Sequence, residues 1–423
     1  MTADFAADIA PLAAAVDEAR QWERLMAMAC LGAIPGEGVN RACLTPLDRA
    51  ARRLLIGWAQ AAGATVSVDA AANLWLRREG TDPSAAPVLT GSHMDSQPEG
   101  GRFDGIYGVI AGLEVLTAME ATGHRPRRPV EVVAWTNEEG GRFAPGCMGS
   151  MAWSGAAALA DFAAQRDPDG VAFADALAEQ LAAEAHLPRR ALGPDPRPAA
   201  YVEAHIEQGP LLEAAGDDIG VVTGIQGSRW FSVAIHGETA HAGTTPRVLR
   251  RDAVQDMLRA LTALNALMED PADVLRFTVG RIEVAPNAPN SVANRARFSI
   301  DFRHPDAAVL AARGDAVAGV VQAALRTTTA EVVQTSHAPP TAFDPAVVAL
   351  IERAAAALGF RQRRMPSGAG HDAQFVAPLC PSGMIFVPCR GGISHNPAEY
   401  AAPAHLAAGT RVLAATLAEL AAG

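Results

Sequence analysis

Chemistry in this 423-residue chain is concentrated in a few short stretches. Gly91 to Asp104 gathers His93, Asp95, Glu99 and Asp104 in a glycine-rich turn. An imidazole among carboxylates can hold a divalent cation. Thr136 to Gly141 sets Glu138 beside Glu139, and Tyr201 to Pro210 places Glu203, His205 and Glu207 on one face of an alternating segment. Further on come His241 in a turn-rich loop, Arg303 closing an alternating segment, His371 and Asp372 after Gly370, and the run Ser394-His395-Asn396-Pro397-Ala398-Glu399. Each has a bland reading. A polar loop can hold a histidine and acids without a metal, adjacent glutamates are common on surfaces, and an arginine on an alternating strand is often only exposed.

Several chemistries are disfavoured. No H-E-x-x-H helix is present, nor a G-x-S-x-G elbow. Gly368-Ala369-Gly370-His371 lacks the later glycine and acidic partner of a dinucleotide site. The five cysteines, Cys30, Cys43, Cys147, Cys380 and Cys389, are odd in number and form no C-x-x-C pair. That opposes a disulfide framework and fits a reducing, cytoplasmic setting. Cys147 as a nucleophile lacks a local activating histidine. A net charge of −11 disfavours nucleic acid and anionic membranes as partners. No run of 18 apolar residues is seen, and an acidic start opposes a signal peptide.

The elements around these residues read as α/β. Helical spacing is expected over 4–31, 45–62, 105–122, 156–184, 251–268, 308–325 and 345–358, with a final helix after Tyr400. Pro46 suits the first turn of its helix, with Thr45 as cap. Apolar or alternating runs at 86–89, 130–135, 201–206, 230–236, 276–284, 295–303 and 330–334 read as strands, and 65–75 as a strand or hairpin. Residues 187–200 hold four prolines and read as an irregular connection. The first stretch therefore lies between a strand end and a helix start, where open α/β sheets place ligands. Gly108 and Gly112 cost helix propensity and imply close packing of that helix on a sheet. The length favours two domains. We expect a larger catalytic domain, 1–224 with 338–423, whose mixed, mostly parallel sheet is flanked by helices. A smaller α/β sandwich, 225–337, is inserted in it.

In order, Gly-Ser-His93-Met-Asp95 with Asp104-Gly-Ile-Tyr-Gly, Trp-Thr-Asn-Glu138-Glu139-Gly, His205-Ile-Glu-Gln208-Gly-Pro, His241-Ala-Gly-Thr-Thr-Pro, Asn290 to Arg303, and Ser394-His395-Asn-Pro resemble the M20 metallopeptidase-like amidohydrolases. The resemblance runs from about residue 20 to the end. Within the family the chain is similar to the N-carbamoyl-amino-acid hydrolase, β-ureidopropionase and allantoate amidohydrolase branch.

The resemblance implies two divalent ions per chain: Zn2+, or Mn2+, Co2+ or Ni2+. His93 and His205 would hold one, Glu139 and His395 the other, and Asp104 would bridge them. Asp95 would orient His93. Glu138 would be the general base. His241 would stabilise the oxyanion, across a homodimer interface. Arg303 would pair with a substrate carboxylate, and Gln208, Asn290 and Gly370 would complete the substrate contacts. The smaller domain would act as lid and dimerisation surface. The implied activity is hydrolysis of N-carbamoyl amino acids, including N-carbamoyl-β-alanine, to amino acid, carbon dioxide and ammonia. Allantoate or another ureide is the alternative within enzymes, and a non-catalytic binding protein on the same scaffold is the distant one. Arg247, and Ser291 to Asn294, depart from the family's apolar residues and bear on substrate identity. Glu99, His371 and Asp372 receive no catalytic role.

Overall fold

The computed structural model describes residues 10–423 and shows two compact units: residues up to Gly224 with Ala342–Gly423, and Ile225–Thr341. The return to the larger unit falls at Ala342, later than the expected 338. The reason is strand pairing: Thr329–Ala338 runs along the smaller unit's sheet as far as Ala338 opposite Ser228. The expected helix segment 4–9 lies outside the described residues.

In the larger unit, strands β1 (Thr65–Val68), β2 (Leu74–Arg78), β3 (Val88–His93), β4 (Val130–Trp135), β5 (Ala200–Ile206), β6 (Ile219–Ile225), β7 (Thr341–Ala342), β8 (Gln362–Ser367) and β9 (Ser382–Val387) form one sheet. Its order is β7-β6-β9-β5-β3-β4-β2-β1, with β8 also on β6. The centre, β9-β5-β3-β4, is parallel, and β6 and β2-β1 flank it antiparallel. Every residue of the four central strands is buried. Burial on both faces fits the near-continuous apolar run of Val130–Trp135; in Ala200–Ile206 the alternation does not mark a solvent face, since Glu203 and His205 are buried too. The hairpin reading of 65–75 resolves into β1-β2. The strand expected at 86–89 continues to His93, so the histidine stands on the sheet itself.

Helix Ile106–Thr122 packs on β3, β4 and β5 and is covered by helices Glu18–Ala29, Pro46–Ala61 and Pro403–Ala422. It is apolar on all sides, as a helix enclosed by neighbours must be. A Cβ at Gly108 would stand 2.3 Å from the Ala204 carbonyl oxygen, and one at Gly112 2.8 Å from Val132. Close packing is what these glycines permit. Thr45 and Pro46 start their helix as expected, with Thr45 Oγ1 accepting the Asp48 amide at 3.3 Å.

The alanine-rich stretch 156–184 is not one helix. Only Phe173–Ala183 is α-helical, after a short 3-10 turn at Leu159–Phe162. Asp167 Oδ1 accepts the amides of Asp169 and Val171 at 3.1 and 2.8 Å, and Pro168 follows it. A side-chain-stabilised turn therefore displaces helix at that point.

The smaller unit is an antiparallel sheet with helices Ala253–Leu267 and Ala307–Ala324 packed on one face. Strand Arg295–His304 alternates as read: Phe298, Ile300 and Phe302 enter the core, while Arg297, Ser299, Asp301 and Arg303 lie on the other face. Each fully buried side chain of this size contributes roughly 1.5–3 kcal/mol. Helix Ala307–Ala324 is long and apolar enough to cross a membrane by length and composition. Here Leu310, Val317 and Val321 fill the unit's own core.

Candidate active site

The C-terminal ends of β3, β4, β5 and β9 open on one edge of the sheet, the edge where such sheets bind ligands. β3 ends on His93, opposite Trp135 at the end of β4, and Glu138 and Glu139 follow in the next turn. β5 carries His205 opposite Phe386 of β9, and the chain beyond β9 turns back to His395. Sequentially distant residues meet because parallel strands align their ends.

Two groups of donor atoms form there and share one residue. His93, Asp104 and His205 make one; Asp104, Glu139 and His395 make the other. Asp104 Oδ1 lies 3.1 Å from His205 Nε2 and 3.8 Å from His93 Nε2. Its Oδ2 lies 3.1 Å from His395 Nε2, which is 3.3 Å from Glu139 Oε2. Each carboxylate oxygen of Asp104 thus faces a different group. The first group is buried, while the His395 side chain is 49% exposed.

Tautomers and orientations are set by the backbone. His93 Nδ1 donates to the Asp95 carbonyl and His205 Nδ1 to the Ile206 carbonyl, each at 2.9 Å, leaving both Nε2 atoms to face the cluster. The Asp95 carboxylate therefore acts differently from the expectation. Its Oδ1 is 3.7 Å from His93 Nδ1, and its two oxygens accept the amides of Glu138 and Glu139 at 3.3 and 3.2 Å. Asp95 orients His93 through its main chain and the glutamate turn through its side chain. Gln97 grips Glu139 from the other side, through its amide and its Nε2.

The electrostatics favour cations. Burial, then the carboxylates of Asp372, Glu139, Asp95 and Asp104, push Glu138 well above the usual carboxylate range. Burial and Asp104 push Glu139 up to about 8. Burial opposes charge on His205, but Asp104 outweighs it and lifts the imidazole to about 9. Contact with Asp104 lifts His395 to about 9 as well. Burial lowers His93 to about 4, so it is a neutral imidazole. Without metal, protons on two imidazoles balance the carboxylates. Divalent cations would fill that role with the same nitrogen and oxygen donors, so the donor set fits them.

Glu138 belongs to neither group. Its Oε2 stands 3.4 Å from His93 Nε2 and its Oε1 3.5 Å from Cys147 Sγ. Burial and this carboxylate push the Cys147 thiol well up, against a thiolate nucleophile. Glu203, His205 and His371 form a further group, but its atoms are engaged. Glu203 accepts from Ser92, Tyr201 and the Ala373 amide, and His371 Nε2 is 2.9 Å from Ser367 Oγ. His371 packs edge-on against His205 at 4.5 Å between ring centres. Glu99 is exposed.

Gln208 sits beside the donor groups. Its Nε2 donates to Asp104 Oδ2 at 2.9 Å and to Ser394 Oγ at 3.2 Å, while its buried Oε1 has no partner. Gly370 is exposed in the loop before His371, with open space up to Gln374 at 3.8 Å. Glu399, unassigned in the sequence reading, is buried and accepts the Phe103 and Asp104 amides. Its signal was its place four residues after His395, in the same short run.

In the smaller unit, Ala240–His241 pairs with Ser291–Val292, which brings His241 beside Asn290. The Ala242 amide donates to the Asn290 carbonyl at 3.1 Å. His241 Nδ1 accepts the amides of Gly243 and Thr244 at 3.0 and 3.2 Å. Its proton therefore sits on Nε2, an exposed donor. Arg247 opens an exposed turn, Arg247–Leu249. Arg303 lies on the sheet's open face, with Asp301 Oδ2 at 2.9 Å from its Nη2.

Comparison with known proteins points one way. The family model described as peptidase family M20/M25/M40 matches residues 89–419. An N-carbamoyl-L-amino-acid amidohydrolase of Rhizobium meliloti is 39% identical over 94% of this chain and 95% of its own. An allantoate amidohydrolase of Bacillus subtilis is 36% identical over 85% of this chain and 87% of its own. The crystal structure of an amidase of the hydantoinase/carbamoylase family from Burkholderia multivorans superposes with a TM-score of 0.90 at 44% identity, covering 96% of this chain and 98% of that one.

Proposed function

From the premise that the chain belongs to peptidase family M20/M25/M40, we propose that it is a hydrolase of the linear ureido carbon–nitrogen bond of N-carbamoyl amino acids. The observation that carries this reading is the pair of donor groups sharing Asp104, with Glu138 at their margin and bound to neither.

His93, Asp104 and His205 would hold one divalent ion, and Asp104, Glu139 and His395 a second. Bound there, the ions supply the Lewis acidity that polarises a ureido carbonyl and acidifies water. Glu138 takes the proton of the attacking water and passes it to the leaving nitrogen. His241 donates Nε2–H to the developing oxyanion. Arg303 receives the substrate carboxylate in a bidentate pair, exchanging Asp301 for it. Asn290 and Gln208 hydrogen-bond the ureido group, and Gly370 leaves room for the substrate. The products are amino acid, carbon dioxide and ammonia. The homodimer, the action of His241 in trans and the cytoplasmic setting belong to the same reading.

Ammonia release from N-carbamoyl-L-amino acids, N-carbamoyl-β-alanine and allantoate, measured side by side, tests the substrate. Fastest turnover of the first group is expected; preference for allantoate would move the protein to the other named relatives' chemistry. Chelation should abolish activity and Zn2+, Mn2+ or Co2+ restore it, whereas full activity of metal-free protein would sink the metal reading. Mixing Glu138→Gln with His241→Ala protein should restore turnover if His241 acts in trans. A fully active monomer in sedimentation would overturn the dimer.

A further inference from the structure

The loop from Cys389 to Tyr400, apart from one short 3-10 turn, has no regular structure, yet it must hold His395 against Asp104. His395 itself has φ +51°, a left-handed conformation that a side chain pays for in strain. Something must hold the loop in this shape. Glu399 is the group placed to do so. Its side chain is enclosed, at 1% exposure. Oε1 accepts the Phe103 amide at 2.9 Å and the Asp104 amide at 3.1 Å. Oε2 accepts from Ser394 Oγ at 2.9 Å. Ser394 Oγ is also 3.2 Å from Asp104 Oδ2, the oxygen that faces His395. A Cβ at Gly101 would meet the Glu399 carboxyl at 2.1 Å, so the turn before Asp104 is shaped to admit this side chain.

We propose that Glu399 is a positioning residue: through Ser394 and the Phe103 and Asp104 amides it ties the turn carrying Asp104 to the turn carrying His395, and so sets the second half of the metal centre. This rests on the two-ion reading above. Glu399 touches neither donor group through a ligand atom of its own. It acts by fixing the backbone of the shared ligand and the residue beside His395. Supporting hydrogen bonds of this kind typically change metal affinity about 10- to 100-fold.

The test is a Co2+ titration of metal-free protein followed by visible absorption, for wild type, Glu399→Ala, Glu399→Gln and Ser394→Ala. Glu399→Ala should weaken one of two binding steps about 10- to 100-fold and leave the other nearly unchanged. A general loss of structure would weaken both, so selective loss is the signature of positioning. Glu399→Gln keeps an oxygen for the two amides and a group that can bond Ser394, and should recover most of the lost affinity. Ser394→Ala, which leaves Glu399 in place, should weaken the same step to a smaller extent; it decides the matter if Glu399→Ala does not fold. Two wild-type binding steps in Ser394→Ala and in every folded Glu399 variant would overturn the inference while leaving the metal reading intact. Absence of Co2+ binding by the wild type would overturn both.

Discussion

The two units hold their candidate site residues in opposite ways. In the larger unit His93 and His205 stand on strands whose every residue is buried, and Asp104, Glu138 and Glu139 are braced by amides, Asp95, Gln97 and Glu399. In the smaller unit His241 and Asn290 are exposed on turns, and Arg303 lies on an open sheet face paired with Asp301. The difference suits the roles proposed for each. Charged ligands must be held close together against their repulsion, which needs rigid, dry surroundings. Groups that receive a substrate must exchange water or a temporary partner for it, which needs access.

Four measurements press on that contrast, from the largest expected effect to the smallest. Glu138→Gln should lower turnover by about 10²- to 10⁴-fold while two ions per chain remain bound, as read by metal analysis; retained turnover removes Glu138 from the proton transfer. Phe298→Ala, in the core of the smaller unit, should cost about 3–5 kcal/mol of stability in chemical denaturation. Trp230→Ala on the exposed face should cost less than about 0.5 kcal/mol, and equal losses would deny that the open face is free of packing duties. Arg303→Ala should raise KM for carboxylate substrates about 10- to 100-fold, the equivalent of a hydrogen bond to a charged group, with kcat much less affected. Arg303→Lys should recover only part of this. An unchanged KM would remove Arg303 from carboxylate recognition.

The smallest effect is on pH. His205 and His395, at about 9, stand above the ordinary 6.5, and Glu139, at about 8, above the ordinary 4.5. Above pH 6.5 the folded metal-free protein therefore holds protons that the unfolded chain has released. The stabilisation from Glu139 is lost as pH rises from about 4.5 to 8, and that from the two imidazoles from about 6.5 to 9. Metal binding needs these groups deprotonated and strengthens over the same range. The melting-temperature gap between metal-loaded and metal-free protein should widen with pH. A constant gap would deny that the cations take the place of these protons.

Much of the larger unit was legible because buried parallel strands are short apolar runs and the residues after them were polar and unusual: His93, Glu138-Glu139, His205. Identity and order of those residues, with His395, belong to the sequence, as does the alternation that sends Phe298, Ile300 and Phe302 inward. Propensity misled at 156–184, where alanine favoured helix and a single aspartate-proline turn prevailed. Spacing along the chain could not reveal that Asp95 would hold a glutamate turn through its carboxylate, that Asp301 would occupy Arg303, or that Glu399 would reach the Asp104 amide. Those are contacts between residues 43 to 295 positions apart, or choices between equally near partners. The contacts of Asp95 and Glu399 exist only once parallel strands bring their ends to one edge and burial leaves their carboxylate oxygens no water to turn to, so tertiary packing alone decides which donor each accepts; Asp301, two residues from Arg303 on a half-exposed face, makes a local choice.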